Sequence, residues 1–392
     1  MGIKKGIAVV LPALLLVTAA TQGPAGATAG HPKPRPSATE TPEPPDAGGG
    51  EQTEAPADPS APPDASEPPD ASEPPADPSA PPDASEPPAD PSAPPQLPGV
   101  VPGPNADDFA DIRTAPRRRE PRASRGASRG TFTSRCGTNR EGHRNPDNFI
   151  VAPGVQNGAH HQHDYVGNES ADAFSTDESL AASGTTCSNG DLSTYYWPVM
   201  RDRNGEDTSE SAQQSAADGN VGAIVTPRAA NIQFRGNPRS RVVAMPRFMR
   251  VIMGDAKAGT NGLANARAFW TCTGFTNRGF TDKYPLCPRR SQVMRVLDFP
   301  SCWDGQNTDS ANHRTHIVFP QANGACPQGT RAVPQLRLTL TYNLPNRAQA
   351  FAVDSFPEQG HDPVTDHADF VNVMPENLMQ RAVRCINTGR RC

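Results

Sequence analysis

The stretch "QLRLTLTY" at residues 335–342 alternates without a break. Leu336, Leu338, Leu340 and Tyr342 fall on one face, and Arg337, Thr339 and Thr341 on the other. A period of two with one apolar face predicts a half-buried β-strand. The same reading extends outward to "QVMRVLDFP" (292–300), "RVVAMPRFMRVIMG" (241–254), "ARAFWTCTGF" (266–275), "HIVFP" (316–320) and "AQAFAVDSF" (348–356). Clusters of Gly, Asn, Asp and Pro separate them, as turns require. Helical signals are fewer. "STDESLAAS" (175–183) opens on a capping residue with acids in its first turn. "MPENLMQRAVRCINTG" (374–389) offers Pro375 at its start, Leu378, Ala382 and Cys385 along one face, and Gly389 past its end. The expected fold is mainly β: an irregular β-sandwich or jelly-roll-like domain with a few short helices.

That domain is expected over residues 131–392, and what precedes it reads differently. Lys4 and Lys5, the apolar run Ile7 to Val17 and the small residues after it read as a secretory signal peptide, residues 1–29, cleaved near Ala27 or Ala29. The apolar core is too short to span a bilayer, which takes about 20 such residues. The mature chain is thus expected to be exported, with no stable membrane insertion after cleavage. Residues 30–112 read as a disordered linker: "ADPSAPPDASEPP" occurs at 57–69 and 76–88, with a partial copy at 89–95. Proline at that density supports neither helix nor central strand.

Charge is segregated along the chain. Glu40 to Asp111 carries 17 acidic residues and no Lys or Arg. Residues 113–130 hold seven arginines against Glu120. A basic run of this kind reads as a solvated hinge, with contact to a polyanion as the alternative. From residue 131 onward 26 basic residues face 24 acidic ones, so nothing points to a nucleic-acid partner.

All eight cysteines lie beyond the low-complexity region. An even number in an exported chain favours disulfides, and eight permit 105 pairings. Cys272–Cys287, Cys302–Cys326 and Cys385–Cys392 are the local choices. No Cys-x-x-Cys is present to suggest a zinc ribbon or redox dithiol.

Histidine, acid and aromatic residues concentrate in four stretches: "NGAHHQHDYVGNESADAFST", "DLSTYYWPVM", "FPSCWDGQNTDSANHRTHIVFP" and "GHDPVTDHADFVNVM". His161 and His163 project to one side of an extended chain, a chelating geometry that His367 and Asp369 repeat. Asp164 is placed to orient one ring. His313 and His316 share a side only on a helix or turn. His161, His163, His316 and His367 are the candidate ligands for a first-row divalent metal such as zinc. His163, Asp309, His313, His316, His367 and Asp369 are the candidates for a catalytic acid–base centre. Tyr195, Trp197 and Trp303 are the candidates for stacking on a sugar ring. Hydrogen-bonded structural histidines and core aromatics are the competing readings of the same residues. A Ser–His–Asp nucleophile is not supported, because no Gly-x-Ser-x-Gly occurs in the folded part.

These motifs, with Gly254-Asp255, Phe299 to Gly305, Cys326-Pro327 and His367-x-Asp369-Phe370, resemble the secreted domain of unknown function 1996 family across 131–392. The chain departs from that pattern at "QGTRAVP", where many fungal members carry a histidine, and lacks a tryptophan after the terminal His-x-Asp-Phe. The resemblance implies no activity. The residues lead to an exported domain acting on envelope or environmental polysaccharide, hydrolytic through a His/Asp centre. The alternatives are a non-catalytic carbohydrate- or wall-binding module on a proline-rich spacer, and a structural or adhesion protein.

Overall fold

The structure is a computed structural model, and it describes residues 99–392. The signal peptide and the acidic repeat lie outside the described residues. Ten strands build two five-stranded sheets. In chain order they are β1 (Thr131–Ser134), β2 (Arg144–Asn145), β3 (His163–Gly167), β4 (Thr194–Pro198), β5 (Ala229–Arg235), β6 (Arg250–Gly254), β7 (Phe269–Cys272), β8 (Val293–Asp298), β9 (Gln335–Tyr342) and β10 (His367–Val371). The back sheet runs β7-β8-β9-β5-β1 and the front sheet β2-β3-β4-β10-β6. Every pair within both is antiparallel. Three smaller sheets complete the fold.

The opening stretch is the centre of the back sheet. Leu336, Leu338, Leu340 and Tyr342 are all buried, alternating with half-buried partners. They meet Phe234 and Ile232 on β5 and Leu297 on β8. From the front sheet, Tyr195 and Trp197 of β4, Val251 and Met253 of β6 and Phe370 of β10 enter the same core. Each large apolar side chain removed from water there contributes about 1.5–3 kcal/mol. The expected β-sandwich is therefore the architecture. The opposite face of the front sheet has its own smaller core of Tyr165, Tyr196, Ile252 and Val371, roofed by Phe149, Ile150 and Leu180.

Two buried ion pairs pin the layers. Arg295 on β8 points between the sheets and binds Asp366, the residue ahead of β10, with both side chains fully buried. It also donates to the Pro198 carbonyl at the end of β4, 2.8 Å away. Arg201 binds Asp354 at 2.7 Å, also buried. The four disulfides are Cys136–Cys187, Cys272–Cys287, Cys302–Cys326 and Cys385–Cys392. Among the described residues no helix is long and apolar enough to cross a membrane. The helix expected near 374–389 spans Glu376–Asn387 and buries Leu378, Met379, Ala382, Cys385 and Ile386.

The expected boundary at 131 needs correction. Within the supposed linker, Phe109–Asp111 forms a short strand parallel to Tyr284–Leu286, and Ile112 is fully buried. Residues 113–130 are not a free hinge but a strap across the outer face of the back sheet. Arg118 binds Asp298 of β8, and Glu120 binds Arg235 of β5 and Arg337 of β9. Composition hid this, because the partners of Arg118 and Glu120 are supplied by distant strands. Burial alone would raise the Asp298 and Glu120 carboxyls, but the arginines outweigh it and hold both below their ordinary values. A depressed carboxyl contributes stability above its unfolded pKa and loses it as pH falls through the folded one. Lowering the pH from about 5 to about 3 is therefore expected to loosen the strap. Hydrogen exchange of amides 116–130, corrected for intrinsic rates, should accelerate more than that of β9. Uniform change in both would contradict it.

Candidate metal centre

The front sheet sets its strands so that one row carries the chemistry. His163 on β3 lies opposite Pro198 on β4, and His367 on β10 lies opposite Gly254 on β6. His161, two residues before His163, projects to the same side. The three Nε2 atoms close on one another: 3.2 Å between His161 and His163, 3.3 Å between His161 and His367, and 3.4 Å between His163 and His367. All three rings are buried, His367 the most accessible at 4%.

Backbone carbonyls fix which nitrogen faces inward. His163 Nδ1 donates to the Asp147 carbonyl at 3.0 Å, and His367 Nδ1 to the Thr365 carbonyl at 2.9 Å. A carbonyl only accepts, so the proton sits on Nδ1 and Nε2 presents a lone pair. His161 Nδ1 has no partner. A proton on His161 Nε2 would serve one neighbouring lone pair and leave the other facing nothing. A cation at the centre meets all three. Metal–nitrogen bonds of about 2.0–2.1 Å at tetrahedral angles put the nitrogens about 3.3–3.4 Å apart, as found here.

Burial holds the three imidazoles below their ordinary pKa, His367 at about 4. At neutral pH they are already the neutral, ligating form, so binding a metal displaces no proton from them.

The surroundings hold the rings in place. Asp354 accepts from the backbone N–H of Gln162, between the two histidines, at 3.3 Å. Asp366, locked to Arg295, precedes His367 directly. The Asp147 side chain ties the covering loop through Asn157 N–H at 2.7 Å and Ala173 N–H at 3.0 Å. Its carbonyl also accepts from Tyr165 Oη. Phe356 lies against His161, ring centroids 5.2 Å apart, with the Lys257 ammonium over its other neighbourhood at 4.3 Å from the ring centre.

Gly254 is the closest approach. Its φ is +87°, and a Cβ there would sit 2.7 Å from His367 Cα and closer still to the Asp366 carbonyl oxygen. Both atoms are backbone and cannot step aside. Gly254→Ala is expected to destabilise the fold by about 1–3 kcal/mol from the backbone conformation alone, and to displace His367. Thermal unfolding and metal content should fall together; a variant with native values of both would contradict the close approach.

The remaining candidates separate from this cluster. Asp369 follows His367 on the same side of β10; it accepts from Asn148 at 3.0 Å, and burial pushes its carboxyl up to about 7. Asp309, His313 and His316 are elsewhere, in a loop along the edge strand β6. His316 Nε2 donates to the Arg250 carbonyl at 2.7 Å and its Nδ1 meets Ser310, so it is not a fourth ligand. Asp309 and His313 do pair, at 2.9 Å, half-exposed. Between those histidines, Arg314 reaches the Gly254 carbonyl at 2.8 Å, at the end of β6 that faces His367. Asp164 does not orient a ring. It lies on the opposite face of β3 and binds Arg144 and Asn139. Tyr195 and Trp197 cannot meet a sugar, because strand alternation turns both into the core between the sheets. Trp303 is half-buried and donates to the Asn307 carbonyl at 2.7 Å.

Sequence reasoning missed Asp147, Thr365, Asp354, Asp366 and Arg295. Four of these act through backbone or through ion pairs between distant segments, which no local pattern marks. Asp147 alone had a signal, the turn-forming run "NPDN" at 145–148.

A disulfide-stapled β-sandwich with three histidines facing one point defines the class of protein structurally. The chain belongs to the family described as a domain of unknown function (DUF1996), which matches residues 148–373 and so includes all three histidines. Comparisons with curated proteins and with solved structures return no match.

Proposed function

We propose that this exported domain holds one first-row divalent metal, zinc in the simplest case, on His161, His163 and His367, and uses it hydrolytically on an extracellular polymer. The observation that supports this is the meeting of three Nε2 atoms at ligand spacing, those of His163 and His367 being lone pairs fixed by their Nδ1 hydrogen bonds. Structural zinc sites take four protein ligands, whereas catalytic ones keep three and an open position. Among the described residues no fourth protein ligand joins the three histidines, which matches the second kind. When bound, the metal would supply Lewis acidity and an activated water. Asp369, one pleat along the same face, is the residue placed to exchange a proton with a reacting group. Export is supported by the four disulfides. A wall or environmental polysaccharide is the substrate class proposed.

The test begins with metal analysis of the purified chain and of His163→Ala. About one equivalent in the first and none in the second is the expected result; equal content after reconstitution would end the proposal. Release of reducing ends from wall polysaccharides by the loaded chain, lost in Asp369→Asn, would then establish the hydrolytic part.

A further inference from the structure

A second site lies on the opposite side of the sandwich. Between the strap and the outer face of the back sheet is an open cleft of about 820 Å³, within the roughly 300–1,000 Å³ usual for ligand sites. Six arginines line it, at 117, 118, 119, 129, 235 and 267, against Glu120, Asp282 and Asp298. Among the described residues, Glu120 and Asp298 are already engaged by Arg118, Arg235 and Arg337. Arg117, Arg119, Arg129 and Arg267 have no carboxylate partner there. Six arginines against three carboxylates leave the cleft with an excess of three positive charges, one of the acids, Asp282, being unpaired among the described residues.

Its walls also carry apolar surface from Pro116, Pro121, Pro238, Phe269 and Phe319, beside the polar Ser128, Thr131, Thr281, Gln321 and Gln335. Both phenylalanine rings are covered, Phe269 by Arg118 and Phe319 by Arg267, each guanidinium under 5 Å from the ring centre. Each ring thus has an arginine over one of its faces, which competes with any nucleobase that would stack there. A polyphosphate has charge but little apolar surface to match these walls. A chain of uronic acid units has both, carboxylates for the guanidinium forks and C–H faces for the proline and ring edges.

We infer that this cleft binds a carboxylated polysaccharide, its carboxylates held by Arg117, Arg119, Arg129 and Arg267. The binding does not require the metal centre, because the cleft and the histidines are on outer faces of different sheets.

The probe is polygalacturonate, measured against the full chain in chelator by titration calorimetry. It is expected to bind, to weaken with added salt, and to exceed both dextran and inorganic polyphosphate. The double variant Arg119→Ala/Arg267→Ala is expected to bind about tenfold more weakly. Arg381→Ala/Arg384→Ala, the same charge change on the exposed side of the last helix, should bind as the unmodified chain does. Equal affinity for dextran or polyphosphate overturns the inference. So does an undiminished Arg119/Arg267 variant, or a loss shared equally by the helix variant. Because metal is withheld throughout, failure here leaves the metal proposal standing, and failure of metal binding leaves this one standing.

Discussion

Zinc added to the metal-free chain is expected to raise its unfolding free energy by about 4 kcal/mol once free metal exceeds its dissociation constant a thousandfold. For a domain of this size that corresponds to a melting point about 6–7 °C higher. The gain arises because the native state alone holds His161, His163 and His367 together; the unfolded chain offers them one at a time. It should be large because the folded protein has already met the costs of ordering and deprotonating the ligands. In the metal-free state the His163 and His367 lone pairs share at most one proton, from His161 Nε2, and burial keeps the rings from taking up another near neutral pH. His163→Ala and His367→Ala should each erase the shift, while His316→Ala, in the loop along β6, should leave it in place. A wild-type melting curve indifferent to zinc would refute the site.

Arg295→Ala is expected to cost about 3–5 kcal/mol, because it leaves the Asp366 carboxylate buried without its partner. The damage should reach the metal centre, since Asp366 is the neighbour of His367 and Arg295 also holds the end of β4. Denaturant unfolding gives the free energy, and zinc titration gives the second effect. Arg295→Met combined with Asp366→Leu removes both charges and should recover most of the stability. If the double variant is as unstable as the single, the charge argument is wrong and the loss is one of packing. A single variant within about 1 kcal/mol of wild type would remove the pair from the list of important contacts.

Much of the sandwich could be read from alternation, because a strand with one buried face writes its environment into every second residue. "QLRLTLTY" is the clearest instance, and the same rule placed His161, His163, His367 and Asp369 correctly on shared sides. It failed where the face was ambiguous. Tyr195, Tyr196 and Trp197 are apolar in succession, since β4 is covered on both sides, so nothing local tells which residue faces which core. His313 and His316 failed for another reason. Their spacing imitates a ligand pair, but the loop spends His316 on the backbone of β6. The strap was illegible because its ionic partners, Asp298 for Arg118 and Arg235 and Arg337 for Glu120, lie more than a hundred residues away.

His163 and His367 are 204 residues apart in the chain, yet their ring nitrogens meet. Any growing chain that stops short of residue 367 carries only two of the three histidines. On the proposed function, a metal held by all three can be captured only after β10 has slotted between β4 and β6. The proposed ion would then be chosen by what is present where folding ends, and not by the metal supply at the ribosome.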